Sequence, residues 1–450
     1  MRLECVLEGV ARVHYWQGQF WEFNGKFYGQ LADEVMRSQV YKFLDNSLRR
    51  AGEQTIRFQP MPKHVNDVID CLKTGMALGV ECHPPMWLDT RKPAAEWIVF
   101  DNKIVNVLTE EERPHSPHFW AHSALGFDWN PEAKCPRWKQ FLEEVSPGDE
   151  GSHMFLEEFG GYCMSEETKF EKGAMLVGPR RSGKGTYRDV IMHLVGDEAG
   201  YVGLSFNDWA ASENSKECLI GKRVGCFADT RFKEGRAFGA VSFDPGGLGH
   251  RSQELLLNII GQDPLTIGRK YRQPWYGKLR LKLMIMSNRV LNFNDPTGAV
   301  TGRFIKVTFP ISFWGKEDVE LKETLRGELP GIALRFVKAY RRLCERGRFV
   351  QPASATALEE DVLKASDPFT AMALDCFVPD ASGMVFKALA YDAFEQWCKT
   401  NGRLDILRTT PKEKFGEKLR GVQGFERLAE GPRPHGKGRT WVGIAYHRGA

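Results

Sequence analysis

Residues Gly178 to Thr186, GPRRSGKGT, place glycines, a lysine and a threonine in an order suited to holding a chain of phosphates. Gly178 and Gly183 allow the backbone to wrap an anion so that amide N–H groups and a helix N-terminus face it, and Lys184 reaches the outer phosphate oxygens. Pro179, Arg180, Arg181 and Ser182 form the body of that loop. Read alone, the string is also compatible with a glycine-rich turn between a strand and a helix. One position departs from the usual pattern. The residue after the lysine, where a serine or threonine normally meets Mg²⁺, is Gly185, so Thr186 must hold the ion's hydration shell or the metal is held otherwise.

Phosphate chemistry also needs an acid and a polar group at the ends of neighbouring strands, to hold Mg²⁺ and orient a water. Asp229 ends the apolar run in GKRVGCFADT, and Asn288 ends the run in LRLKLMIMSN. Each by itself reads equally as a turn residue. Arg303, in GAVTGRFIKV, directly precedes another apolar run; it is either an exposed ion-pair residue or an arginine finger aimed at a neighbouring subunit's nucleotide. Between Asp229 and Asn288, Arg269, Lys270, Arg272, Lys278, Arg280 and Lys282 surround Tyr271, Trp275 and Tyr276. Cations neutralise a phosphate backbone and rings touch sugars or bases, although a solvated basic loop has the same composition.

Four short apolar segments must position these residues: Ala174 to Val177, Val224 to Ala228, Leu281 to Met286 and Phe304 to Phe309. Glycine-rich turns and amphipathic stretches separate them, the pattern of an open α/β domain. Tyr187 to Leu194 and Gly331 to Cys344 are expected helices, and Ala353 to Ser366 an acidic helix ahead of a linker near Pro368. Upstream, aromatic text flanking Asn24-Gly25 predicts a β-hairpin. Leu31 to Arg50 and Val65 to Leu78 carry helical spacing, so the N-terminal region reads as mostly helical. Near the C-terminus, helical faces around Phe386 to Trp397 and Pro411 to Leu419 precede a basic turn with Lys437 and Arg439, then a strand over Thr440 to Tyr446. Helix, helix, basic turn and strand suggest a winged helix.

The chain of 450 residues carries a net charge of only +4, yet from Arg403 to Arg448 eleven Lys/Arg face five Asp/Glu. The basic character is thus concentrated in the tail. No apolar run approaches the roughly 20 residues that span a bilayer, and no secretory signal opens the sequence, so a cytoplasmic location is expected and a membrane partner is not. The ten cysteines form no C-x-x-C pair and read as reduced. Cys82-His83 with His115, His118 and His122 fit no metal-ligand spacing.

In their order, these motifs resemble those of superfamily 3 helicases: the phosphate loop, the strand acid, a basic hairpin, a sensor asparagine and an arginine finger. The resemblance is to the phage, prophage and plasmid primase-helicase family related to poxvirus-type primase-helicases. FLEEFGGYCMSEETKFEKGAMLVGPRRSGKGT, GKRVGCFADTRF, IIGQDPLTIGRKYRQPW and MSNRVLNFNDPTGAVTGRFIKVTF carry it. It implies an AAA+ P-loop NTPase core over residues 149–330, a helicase-associated domain over 1–148, a helical lid and linker over 331–380 and a winged-helix domain over 381–450. It further implies ATP and Mg²⁺ as cofactors, with Lys184 on the phosphates, Thr186 and Asp229 at the metal, Asn288 as sensor and Arg303 as a finger in trans. Single-stranded and forked DNA are the implied partners, gripped by Arg269, Lys270, Arg272, Lys278, Lys437 and Arg439. A homo-hexamer moving 3′ to 5′ on one strand, and a separate primase or polymerase, complete the expectation. Two other functions remain open: an ATP-switched DNA-binding initiator, and a nucleotide kinase, disfavoured because the phosphate loop lies far from the N-terminus.

Overall fold

The computed structural model describes residues 6–7, 10–79, 81–206, 214–228, 250–270, 272–288, 299–354, 368–422, 424–433 and 438–446. Contacts divide the chain into two units, one formed by residues 1–231, 245–289 and 295–354, the other mainly by residues 355–450.

After a short antiparallel pair, Val6–Leu7 with Val10–Ala11, the larger unit forms an antiparallel sheet of β1 (Val13–Trp16), β2 (Gln19–Phe23) and β3 (Tyr28–Leu31). Gln17 and Gly18, both at positive φ, turn β1 into β2. The expected hairpin at Asn24-Gly25 joins β2 to β3, with Asn24 Oδ1 accepting from the Lys26 and Phe27 amides. Helix α1 (Asp33–Asp45), a ribbon of β4 (Leu48–Ala51) and β5 (Gln54–Arg57), and α2 (Pro62–Gly75) follow. Strands of two or three residues then run between Met86 and Trp120. The N-terminal region is therefore not mostly helical; strand segments are as extensive as α1, α2 and α3 (Pro136–Val145) together. Such short strands hold too few alternations to register as a periodic signal.

The phosphate-loop region is a five-stranded parallel sheet. Its strands are β6 (Gly173–Val177), β7 (Tyr201–Leu204), β8 (Val224–Phe227), β11 (Lys282–Ser287) and β12 (Phe304–Thr308). An antiparallel pair, β9 (Leu265–Arg269) and β10 (Arg272–Gly277), lies between β8 and β11 in sequence and outside the sheet. Spatial order is β7-β8-β11-β6-β12, which places the phosphate-loop strand between β11 and β12. All five residues of β6 are buried, as expected for a parallel sheet covered on both faces. Four of these strands coincide with the four apolar runs in the sequence; β7 completes the edge.

Helices α4 (Glu150–Met164), α5 (Lys184–Leu194), α6 (His250–Ile260), α7 (Leu321–Gly327) and α8 (Leu329–Arg346) accompany the sheet. Gly160 and Gly161 let α4 press onto α8: a Cβ at either would lie 2.1–2.2 Å from Phe336. Ion pairs Glu157–Arg335 and Glu158–Arg346, both at 2.6 Å, clamp the same two helices. Aromatic and aliphatic side chains from α3, α4, α5, α8 and the sheet share one core.

The smaller unit consists of α9 (Pro368–Cys376), β13 (Phe377–Phe386), α10 (Lys387–Thr400), α11 (Leu404–Thr409), α12 (Lys412–Arg420), β14 (Ala429–Gly431) and β15 (Thr440–Tyr446). Its antiparallel sheet has the order β13-β15-β14. Phe369, Phe377, Phe394, Phe415 and Trp441 belong to its separate core. The expected helices and final strand are present, but α9 lies ahead of the boundary expected at residue 381 and β13 straddles it. The acidic helix expected over 353–366 and the basic residue Lys437 fall largely or wholly outside the described residues.

Candidate functional site

The phosphate loop leaves β6 at Gly178 and enters α5 at Lys184. Its path is fixed by close packing. A Cβ on Gly178 would meet the Phe309 carbonyl at 2.1 Å, and one on Gly183, whose φ is +93°, would meet Val145 Cγ1 of α3 at 2.6 Å. Both positions require glycine, the second also by conformation. Gly185 is different: no atom lies within 4 Å of its Cβ position.

Lys184 is only 9 % exposed and folds back over the loop. Its Nζ donates to the carbonyls of Gly178 at 2.6 Å and Pro179 at 2.7 Å, and to Ser182 Oγ at 3.1 Å. The ammonium is thereby held inside the arc of the loop, where anionic oxygens would replace neutral ones.

Around this arc opens a cavity of about 920 Å³ lined by Arg180 to Thr186 and by Ala228, Ser287 and Asn288. That size lies within the range of nucleotide and drug-sized pockets, roughly 300–1,000 Å³. Ala228 and Asn288 follow the C-terminal ends of β8 and β11, so the strand next to β6 and the one beyond it both end at this cavity. Asp229, the next residue after Ala228, lies outside the described residues. The loop fits a triphosphate: it has an enclosed lysine, glycines where side chains cannot stand and a helix N-terminus. For Mg²⁺, Thr186 lines the same cavity while Gly185 offers no side chain.

Arg303 is not at this cavity. It precedes β12, whose first residue pairs with Gly173 at the start of β6, whereas the loop leaves the other end. Its guanidinium is ion-paired with Glu171. At about 3.3 Å per residue, the length of β6 separates it from its own phosphate loop by roughly 17 Å.

Arg269 and Arg272 pair across the turn of β9 and β10, and Lys270 projects from that turn, exposed to solvent. Trp275 is buried behind the ribbon, Tyr276 is 68 % exposed, and Lys278 is exposed just beyond β10. The turn end of the ribbon touches the turn between β1 and β2, with Arg269 Nη2 donating to the Gln17 carbonyl at 3.4 Å. In the smaller unit, Arg439 borders a cleft with Lys387 and Lys412 beside Trp441.

Residues 4–147 match the family described as D5 N terminal like. The match covers the region ahead of α4 and ends before the phosphate loop. Among solved structures, an A-form apo structure of the NrS-1 C-terminal region is 10% identical and covers 96% of this chain and 97% of that chain, with a TM-score of 0.48. Another apo structure of that region, residues 305–718, is 13% identical over 96% of each chain, also at 0.48. A JCV helicase carrying a bound acetamide compound is 15% identical, covering 47% of this chain and 67% of that one at a TM-score of 0.26.

Several residues of the cavity carry no motif in the sequence. Arg188 and Lys322 line its wall and both pair with Asp189 behind them on α5. Burial favours the neutral acid there, yet hydrogen bonds from Lys322 and Arg188 hold the Asp189 carboxyl below its usual range. Arg137 of α3 bridges Glu144 at 3.1 Å and Asp318 at 3.3 Å. These residues arrive from distant segments, and only the folded chain assembles them. Among the described residues no set of three or more His, Cys, Asp or Glu side chains converges, the Cys82-His83 and His115 to His122 group included. His122 is instead buried against Trp21, with ring centroids 3.7 Å apart, and burial pushes its pKa down to about 3. No described helix is long and apolar enough to cross a membrane.

Proposed function

We propose that this chain is an ATP-driven DNA helicase of the superfamily 3 type, with an AAA+ core, acting in phage- or plasmid-type replication. The observation that carries the proposal is Lys184, enclosed by its own loop carbonyls at the mouth of a cavity bordered by the ends of β8 and β11. The sheet order, with the phosphate-loop strand between β11 and β12, supports an AAA+ core.

In this reading Lys184 and the loop amides hold the β- and γ-phosphates, and Asn288 orients a water for attack on the γ-phosphorus. The new P–O bond forms as the bond from phosphorus to the β–γ bridging oxygen breaks; ADP leaves with that oxygen, Asp229 supports the attack of the water, and the water proton ends on the released phosphate. When bound, Mg²⁺ held by Thr186 and Asp229 would offset charge on the β- and γ-oxygens. Arg303, remote from its own phosphate loop, acts on the nucleotide of a neighbouring protomer in a ring, for which a hexamer is our reading. Lys270 at the turn between β9 and β10, with Arg269, Arg272 and Lys278, grips the DNA strand along the pore, and movement is 3′ to 5′. The D5 N terminal like match over residues 4–147 supports a primase-helicase setting, with a separate primase or polymerase as partner and the cytoplasm as the location. The smaller unit serves as a winged helix, with Lys437 and Arg439 at the DNA.

Strand displacement on forked DNA with ATP and Mg²⁺ tests this reading. Wild-type protein should unwind and Lys184→Ala should not. ATP hydrolysis with DNA binding but no displacement would favour an ATP-switched initiator. Phosphoryl transfer to a nucleoside monophosphate, unaffected by DNA, would favour a kinase.

A further inference from the structure

We infer that Trp314 is the platform on which the nucleobase stacks, and that the nucleotide cavity recognises the base by its face and not by its edge. The inference rests on the nucleotide site proposed above and names what occupies the part of the cavity that phosphates do not fill.

Trp314 lies in the loop from Phe309 to Glu320, between β12 and α7, and it lines the same cavity as Lys184. It is 69 % exposed, and among the described residues no other tryptophan stands open to solvent. Leaving so large an apolar ring in water forgoes burial that the chain uses for its other tryptophans.

The loop is also tied to the phosphate loop. Ser312 Oγ donates to the Arg180 carbonyl at 2.9 Å, the Phe313 amide donates to the Arg181 carbonyl at 2.9 Å, and Arg181 pairs with Glu317 at 3.5 Å. The indole is thus carried on backbone referenced directly to the loop that holds the phosphates. A cavity of about 920 Å³ is larger than a triphosphate needs and has room for a nucleoside beside it.

The charges near Trp314 indicate how a base is read. Glu144 and Asp318 are both engaged by Arg137, and Glu317 by Arg181. These carboxylates are turned toward arginines, Glu317 at the longer distance of 3.5 Å, which favours the ring face as the recognition element. Every base has such a face, so stacking tolerates base identity and favours the larger purines.

Calorimetric titration of the full chain with Mg²⁺ and ADP, GDP, CDP or inorganic tripolyphosphate tests the inference. Trp314→Ala should weaken ADP and GDP by about tenfold, the lower part of the range for loss of one base stack, and leave tripolyphosphate unchanged. Trp314→Phe should recover most of the ADP affinity. In the wild type ADP and GDP should bind alike and CDP more weakly. An equal loss for ADP and tripolyphosphate would overturn the inference, because Trp314 would then shape the phosphate loop. So would unchanged binding of both, including the case where the variant alters only sedimentation, which would make the ring a subunit contact. If the wild type binds neither ligand, the nucleotide site itself fails and the platform with it. Retention of tripolyphosphate by the wild type, and its loss in Lys184→Ala, keeps the two failures apart.

Discussion

Two alanine substitutions in the phosphate loop, separated by one residue, should change stability in opposite directions. Gly183→Ala places a side chain at φ +93°, a left-handed conformation that costs about 1–2 kcal/mol for a residue with a Cβ. The same Cβ would stand 2.6 Å from Val145 Cγ1 and 3.2 Å from Phe141 Cε2, and relieving that overlap costs about 1–3 kcal/mol. Gly185→Ala meets nothing within 4 Å and lies in α5, where alanine is favoured over glycine by roughly 0.5–1 kcal/mol. The gap between the two variants is therefore roughly 2.5–6 kcal/mol. Scanning calorimetry of the transition that includes the larger unit should place Gly183→Ala several degrees below wild type, at about 2 °C per kcal/mol, and Gly185→Ala at or slightly above it. A second variant separates the two terms. Val145→Ala in the Gly183→Ala background removes the clashing methyl but not the backbone strain, so the two changes should couple favourably. Equal destabilisation of both single variants, or a neutral Gly183→Ala, would refute the packing of α3 over the loop.

Lys184→Ala should reduce ATP hydrolysis below detection in a coupled assay while the circular dichroism spectrum stays that of wild type, because the bonds from its ammonium to the Gly178 and Pro179 carbonyls and to Ser182 Oγ lie within the phosphate loop and tie no other element to it. Arg303→Ala should shift stability by less than about 1 kcal/mol, since its pair with Glu171 is partly exposed, yet lower hydrolysis by about 10³-fold. Mixing it with Lys184→Ala should restore part of the activity, and absence of complementation would contradict a role in trans. Buried Lys282 has its ammonium pKa pushed down to about 8, chiefly by desolvation, from 10.5. The unfolded chain then holds that proton more tightly, so wild-type stability gains from this group as pH rises from about 8 to 10.5. Lys282→Met should lose that rise when urea midpoints are compared at about pH 8 and about pH 10.

The parallel sheet was legible because its strands are continuous apolar runs, each ending on a polar or glycine-rich turn, and such runs are what two-sided burial demands. Strand β7, with a partly exposed YVGL at the sheet edge, carries no comparable run. Pro368 reads as a linker signal, yet it starts α9, where its missing N–H costs nothing and its fixed φ suits the first turn. In the site, Lys184, Thr186 and Asn288 were visible from local spacing, and the cavity brings them together. Arg137, Arg188, Lys322 and Trp314 were not, because their relation to the phosphate loop is made by folding and leaves no trace in neighbouring residues. The basic ribbon was read from its composition, but its contact with the Gln17 carbonyl spans most of the chain between the two elements.

Strand β12 runs from Arg303 at one end to the loop bearing Trp314 at the other, hydrogen-bonded only to β6 within the sheet. Its residues Phe304 to Val307 are all buried, so a slip of one register position would turn a packed face the wrong way and is barred. What remains to the strand is motion as a stiff rod. One short strand is thus the direct backbone connection between the arginine at one end of β6 and the aromatic loop at the other.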